Sequence, residues 1–209
     1  MEGAGIVMER PVLIGICGGI GSGKSVVSRM LREMGYEVYD CDSEARRLME
    51  SSGEIKHRIC TEISAEVTDG HSIPDRKLLG EIVFADEAKR QLLNSIVHGA
   101  VRADLQLWTA SRTGNHAPIF VEAAVLAESG LAELCDAIWQ VVTPTAERVA
   151  RVIERDGCTA ADAQRRIASQ VREAELLKAH RSSIVEILND ADHSLLRQVT
   201  EGLDKLSIV

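Results

Sequence analysis

Aromatic residues are scarce, with two tryptophans, two tyrosines and two phenylalanines among 209 residues. So few rings provide no stacking platform for single-stranded nucleic acid. Basic residues are short as well: 24 Lys and Arg face 32 Asp and Glu, for a formal net charge of −8. A general nucleic-acid binder carries the opposite sign, so no nucleic-acid partner is expected. An anionic ligand must be held by a local arrangement, not by the overall field. Four prolines exclude a collagen-like or proline-rich fibre. No apolar run approaches the ~18 residues of a membrane helix, so no membrane partner is expected. The longest apolar run, Pro11 to Cys17, stops at a glycine cluster. The five cysteines are odd in number and widely spaced without a C-x-x-C, which argues against a disulfide framework or a zinc site. Glu2 and a short apolar patch from Ile6 to Met8 do not make a secretory leader, so the cytoplasm is the expected location. What remains is a chain that is 45% hydrophobic, ample for a sizeable core in one domain with an insertion or in two small lobes.

The order of patterns reads strand, loop, helix, strand, a long helical stretch, two strands, helices, strand and helix. Pro11 to Cys17 is a short apolar run ending in glycines, as in a buried parallel strand. Lys24 to Met34 places Val26, Val27, Met30, Leu31 and Met34 at helical spacing, and Gly35 stands where a helix C-cap glycine belongs. Glu37 to Tyr39 reads as a second strand. Residues 43–113 read as helical, with breaks at Ser51-Ser52-Gly53 and from Asp69 to Pro74. Ile119 to Val121 and Ile138 to Val142 read as further strands. Ala146 to Arg181 reads as two or three helices, broken at Asp156-Gly157, with Thr159 as an N-cap. Ile184 to Leu188 and Leu195 to Leu206 complete the chain as strand and helix. Strands alternating with helices predict a three-layer α/β fold around a parallel sheet.

Gly18 to Ser25 reads GGIGSGKS and satisfies G-x-x-x-x-G-K-[ST], the phosphate-binding loop. Glycines let backbone N–H groups curl around phosphate oxygens. Lys24 sets a cation between the terminal phosphates, the Ser25 hydroxyl suits Mg²⁺, and the following helix aims its positive end at the same anions. The nucleotide-binding set is therefore Gly19, Gly21, Ser22, Gly23, Lys24, Ser25 and Val26, with Ser25 as metal ligand and Mg²⁺ as cofactor. An Asn-Lys-x-Asp guanine reader is absent from the sequence.

Asp40 and Asp42 flank Cys41 at the end of the second strand, where an open α/β sheet lines its ligand crevice. They fit a general base toward an acceptor hydroxyl, or a pair orienting Mg²⁺ through water. Equally, Asp42 fits a simple N-cap for a helix beginning near Ser43. Arg148, Arg151 and Arg155 share one helical face, as arginines on a closing lid would, or as a solvated face partnered by Glu147, Glu154 and Asp156. Glu122 is either a Mg²⁺-organising acid or a strand-end carboxylate. His98, a lone histidine, reads more readily as structural than as functional, and Asp75-Arg76 fits a helix N-terminal charge with a surface arginine.

Taken in order, these pieces resemble the dephospho-coenzyme A kinase family. The matching stretches are GICGGIGSGKS (Gly15 to Ser25), YDCDSEARRL (Tyr39 to Leu48), IPDRKLLGEIVF (Ile73 to Phe84), LNSIVHGAV (Leu93 to Val101), ERVARVIERDG (Glu147 to Gly157) and RRIASQ (Arg165 to Gln170). The resemblance implies ATP-dependent phosphorylation of the 3′-hydroxyl of dephospho-CoA, giving CoA and ADP in the last step of CoA synthesis. It implies a P-loop kinase core (11–42, 117–145 and 182–209), a helical CoA-accepting region (43–116) and a lid (146–181), behind an N-terminal extension (1–10). It assigns Asp42 as the base, Lys24, Arg151 and Arg155 as further catalytic groups, and Arg151 also to ATP. Asp40, Asp42, Arg76, His98 and Glu128 fall to the acceptor. ATP and dephospho-CoA are the implied partners, and the oligomeric state stays open. The sequence departs from the family pattern at Gly99, where proline usually follows the histidine, and at Ala124 to Ala127, which replaces a Pro-Leu-Leu-Phe run. Arg148 stands where glutamine is frequent and Cys17 where threonine is common. Two other readings share the loop: a kinase for another small acceptor, and a nucleotide-binding regulatory module without transfer chemistry.

Overall fold

A computed structural model of the chain describes residues 10–114, 116–180 and 183–206. The expected extension at 1–10 lies outside these apart from Arg10, and Arg181 at the expected end of the lid lies outside them too. Five parallel strands form one sheet in the order β2-β3-β1-β4-β5. They are β1 (Leu13–Cys17), β2 (Val38–Asp40), β3 (Ile119–Glu122), β4 (Ala137–Val142) and β5 (Ser183–Leu188). The first strand is central because all five of its residues are buried, and a strand covered on both faces must be apolar throughout. Register is fixed by Ile14 opposite Phe120 on one side and Ala137 on the other.

The chain divides into two compact units, one comprising the described residues through Tyr39 and from Trp108, the other Asp40–Leu107. In the first, the sheet face carrying Ile14 and Ile16 packs on Val27 and Leu31 of α1 (Lys24–Glu33) and on Val199 and Leu203 of α9 (Leu195–Leu206). Phe120 and Trp139 fill its centre with ring centroids 5.4 Å apart. Each fully buried Ile or Leu here contributes about 1.5–3 kcal/mol. The opposite face meets the turn after β3, where Leu126 is fully buried and lies against Gly15. The helices α6 (Thr145–Asp156), α7 (Ala160–Ala168) and α8 (Val171–Ala179) follow β4. Thr159 caps α7 by accepting from the Asp162 N–H, as its sequence position predicts.

The second unit holds α2 (Cys41–Ser51), α3 (Gly53–Arg58), a π-helical turn (Ile59–Ile63), α4 (Arg76–Ala85) and α5 (Glu87–Ala110), whose last residues are counted with the first unit. Its core is aliphatic: Ile55, Ile59, Ile63, Val67, Leu79 and Ile96. The expected break at Ser51-Ser52-Gly53 narrows to Ser52, which caps α3 through its hydroxyl.

Candidate active site

The loop from Gly18 to Gly23 joins the end of β1 to the start of α1. Glycine is required at its two ends. Gly18 has φ +147°, and a Cβ there would stand 2.4 Å from the Val141 carbonyl oxygen. Gly23, the N-cap of α1, has φ +93°, and its Cβ would stand 2.1 Å from Asn189 Nδ2. Among the described residues no side chain caps α1, so its N-terminus keeps the open, positive end that anions seek. Lys24 Nζ donates to Gly18 O at 2.8 Å and approaches Gly19 O at 3.4 Å. Ser25 and Val26 follow, exposed, on the first turn.

Distant segments hold this loop in shape. Asn189, just past β5, donates through Nδ2 to Ser22 O at 2.7 Å. Thr143 Oγ1 lies 2.9 Å from Ser22 O and 2.9 Å from Asn189 O, and its single proton serves one of them at a time. Ile20 is gripped on both sides: its N–H donates to Gln170 Oε1 at 2.7 Å, and its carbonyl accepts from Arg148 Nε at 2.9 Å. Arg151 pairs with Glu147 at 3.0 Å and reaches Gly21 O and Asn189 O at 3.4 and 3.3 Å. Arg155 instead lies exposed in an ion pair with Asp156 at 2.7 Å, a carboxylate that also takes Arg166.

Beside the loop opens a cavity of about 260 Å³, bounded by Gly18, Gly19 and Ser22, by the end of β4, and by residues of α6 to α8. Glu173 of α8 borders it and is buried, accepting the Ala127 N–H at 2.9 Å and the Glu128 N–H at 2.8 Å. Burial pushes its carboxyl above the ordinary value, because desolvation outweighs the backbone donors. Burial likewise pushes the Cys17 thiol up to about 12, with the Glu173 carboxylate adding to it. Glu128 itself is exposed on the same turn, and Glu122 ends β3 half-buried.

In the second unit the capping role that the sequence left open for Asp42 falls to Asp40. Asp40 is the N-cap of α2: its Oδ1 accepts from the N–H groups of Asp42 and Ser43 at 3.0 and 3.2 Å, and its Oδ2 from Ser43 Oγ at 3.1 Å. The alternative that Asp42 caps the helix is therefore corrected. The helix starts two residues earlier than Ser43, at Cys41, so the capping position falls on Asp40. Asp42 is exposed on the first turn. Asp75 caps α4, and Arg76 makes an exposed ion pair with Glu50. His98 is half-buried in α5, which runs unbroken through Gly99.

A sequence model of dephospho-CoA kinases matches residues 12–194. The chain belongs to the dephospho-CoA kinase family. It is 35% identical over 190 residues to the dephospho-CoA kinase of Bacteroides fragilis, spanning 91% of this chain and 90% of the relative. Against that of Geobacter sulfurreducens it is 37% identical over 195 residues, covering 90% and 95%. The crystal structure of a Thermus thermophilus protein superposes with a TM-score of 0.73 at 32% identity, over 96% of this chain and 98% of that one. Membership in this kinase family bears out the expected phosphotransferase of the last step in CoA synthesis. Among the described residues no helix is long and apolar enough to cross a membrane.

For this family member, the structure gathers Gly19, Gly21, Ser22, Gly23, Lys24 and Arg151 in one place. Thr143, Gln170, Glu173 and Asn189 were given no role by sequence. They act on backbone atoms of other segments, and such contacts leave no spacing to read. Only the RRIASQ stretch pointed toward one of them, Gln170.

Proposed function

We propose that the chain transfers the γ-phosphoryl group of ATP to the 3′-hydroxyl of the dephospho-CoA ribose, releasing CoA and ADP. The observation that carries this is the braced phosphate loop, with Lys24 turned onto Gly18 and Gly19 and an α6 arginine at Gly21, in a chain of this family. Loop amides and Lys24 hold the β- and γ-phosphates. Arg151 and Arg155 stabilise the charge on the transferring group, and such electrostatic stabilisation carries most of phosphoryl-transfer catalysis. Asp42 accepts or orients the acceptor proton, a role supported by its release from capping duty. Arg76 and His98 in region 43–116, Glu128 in 117–145 and Asp40 at the end of 11–42 are assigned to the acceptor.

Mg²⁺ suits the donors present. Ser25 offers an exposed hydroxyl oxygen on the first turn of α1, a hard ligand for a hard cation. No cluster of three or more His, Cys, Asp or Glu side chains able to hold a metal occurs among the described residues, which fits an ion held chiefly by nucleotide phosphates and water. When bound, it would neutralise charge on the phosphate oxygens. A cytoplasmic location belongs to the same proposal.

The test is ADP release from Mg-ATP with and without dephospho-CoA, the product weighed by mass spectrometry. An acceptor-dependent rate with a gain of one phosphate is expected. ATP binding without transfer would refute the assignment and favour a regulatory module; transfer to a different hydroxyl acceptor alone would favour a kinase of other specificity.

A further inference from the structure

The three arginines on α6 differ in what neutralises them. Arg151 has Glu147 and Arg155 has Asp156, whereas Arg148 makes no ion pair among the described residues. Its Nε is committed to Ile20 O. Its amino groups lie against Gly19, with Nη2 2.1 Å from where a Cβ would sit, and the side chain borders the 260 Å³ cavity. The guanidinium is half-buried, and burial alone pushes it below its ordinary range. Ser22 faces the same region: the residue is 1% exposed and lines the same cavity, and its Oγ has no hydrogen-bond partner among the described residues. Lys24 Nζ is drawn to the same Gly18–Gly19 end of the loop. A half-buried cation with no ion pair among the described residues, next to an orphaned hydroxyl at a cavity, is a place that an anion would satisfy.

We propose that Arg148 binds the terminal phosphate of the loop's nucleotide, its two amino groups making the forked contact that guanidinium offers phosphate oxygens. The inference rests on reading the chain as an ATP-dependent kinase. A brace that merely held Ile20 would affect every nucleotide alike, whereas a contact to the terminal phosphate separates triphosphate from diphosphate.

The experiment titrates Mg-ADP and the Mg²⁺ complex of the β,γ-imido analogue of ATP into wild type, R148Q and R148K by calorimetry, with thermal melting of each. Loss of a charge-assisted contact is expected to weaken the analogue about tenfold or more in R148Q, with ADP changed less than about twofold. R148K keeps the charge without the fork and is expected to weaken the analogue about threefold or more, again selectively, which supplies the reading should R148Q fail to fold. Equal losses for both nucleotides, or no loss for either, overturn the proposal. Wild-type turnover with dephospho-CoA is measured alongside. If turnover is absent while the selective loss persists, the kinase assignment fails and the role of Arg148 stands; normal turnover with equal losses gives the reverse. A wild-type chain that does not bind the analogue overturns both.

Discussion

Replacing Glu173 with alanine tests how α8 is fastened to the turn after β3. The carboxylate accepts two backbone N–H groups, from Ala127 and Glu128, and the residue is 6% exposed. Hydrogen bonds to a charged group contribute about 1.5–3 kcal/mol each. Desolvation of the carboxylate offsets part of that gain, and water entering the adjoining cavity would re-satisfy part of what is lost. A net destabilisation of about 2–4 kcal/mol remains. In a chain of this size each kcal/mol lowers Tm by about 2–4 °C, so Glu173→Ala is expected to melt roughly 5–15 °C below wild type. Glu173→Gln retains one acceptor oxygen but turns an NH₂ toward the other donor, and falls between. The pH dependence has a definite sign. Because the folded-state carboxyl lies above its unfolded value, the folded state binds the proton more tightly, and this contribution to stability is lost as pH rises through the folded value. Wild type should therefore gain on Glu173→Gln as pH falls from neutrality through that value. Calorimetric melting of all three proteins from pH 7 to 4.5 reads both effects. A Glu173→Ala protein melting within 1 °C of wild type would refute the reasoning.

Asp40→Ala removes the α2 cap and is expected to cost about 1 kcal/mol, seen by chemical denaturation, whereas Asp42→Ala should leave stability within about 0.5 kcal/mol while abolishing most turnover. Retained turnover in Asp42→Ala would remove it from the chemistry. Gly23→Ala forces a Cβ into Asn189 at a positive φ, so nucleotide affinity should fall at least about a hundredfold by titration, since strain of about 1–3 kcal/mol adds to the clash. Iodoacetamide at pH 8 should label half-buried Cys60 and Cys158 well before Cys17 and Cys135, whose thiols burial pushes up to about 12; mass mapping of the folded protein shows the order.

Periodic segments were legible in the sequence. The apolar run of β1, the one-sided pattern of α1 and the cap at Thr159 each follow from local chemistry, and α9 occupies the residues its pattern marks. The phosphate loop was legible because its glycines, lysine and serine are contiguous. Asp40 and Asp42 were ambiguous for a physical reason: two carboxylates two residues apart differ in role by where the first helical turn begins, and helix ends are the least sharply encoded feature. The braces on the loop were invisible. Asn189 and the Ser22 carbonyl that it holds are 167 residues apart, and the acceptor is a main-chain atom that any residue would supply. Arg148 and Arg151 were visible as a face of cations, but which carbonyl each would take depends on the packing of α6 against the loop.

That separation has a consequence for the order in which the protein is made. The phosphate loop leaves the ribosome before the groups that set its shape: Thr143 and Arg148 follow β4, Gln170 lies between α7 and α8, and Asn189 comes only after β5. The sheet grows in the same sense, since β1 sits between β3 and β4 and has neither neighbour when it emerges. A nascent chain that already carries the entire nucleotide motif is thus unable to grip ATP in the native way. Competence for nucleotide comes only once β5 and Asn189 have been made, so bound ATP would mark a chain whose loop is already braced.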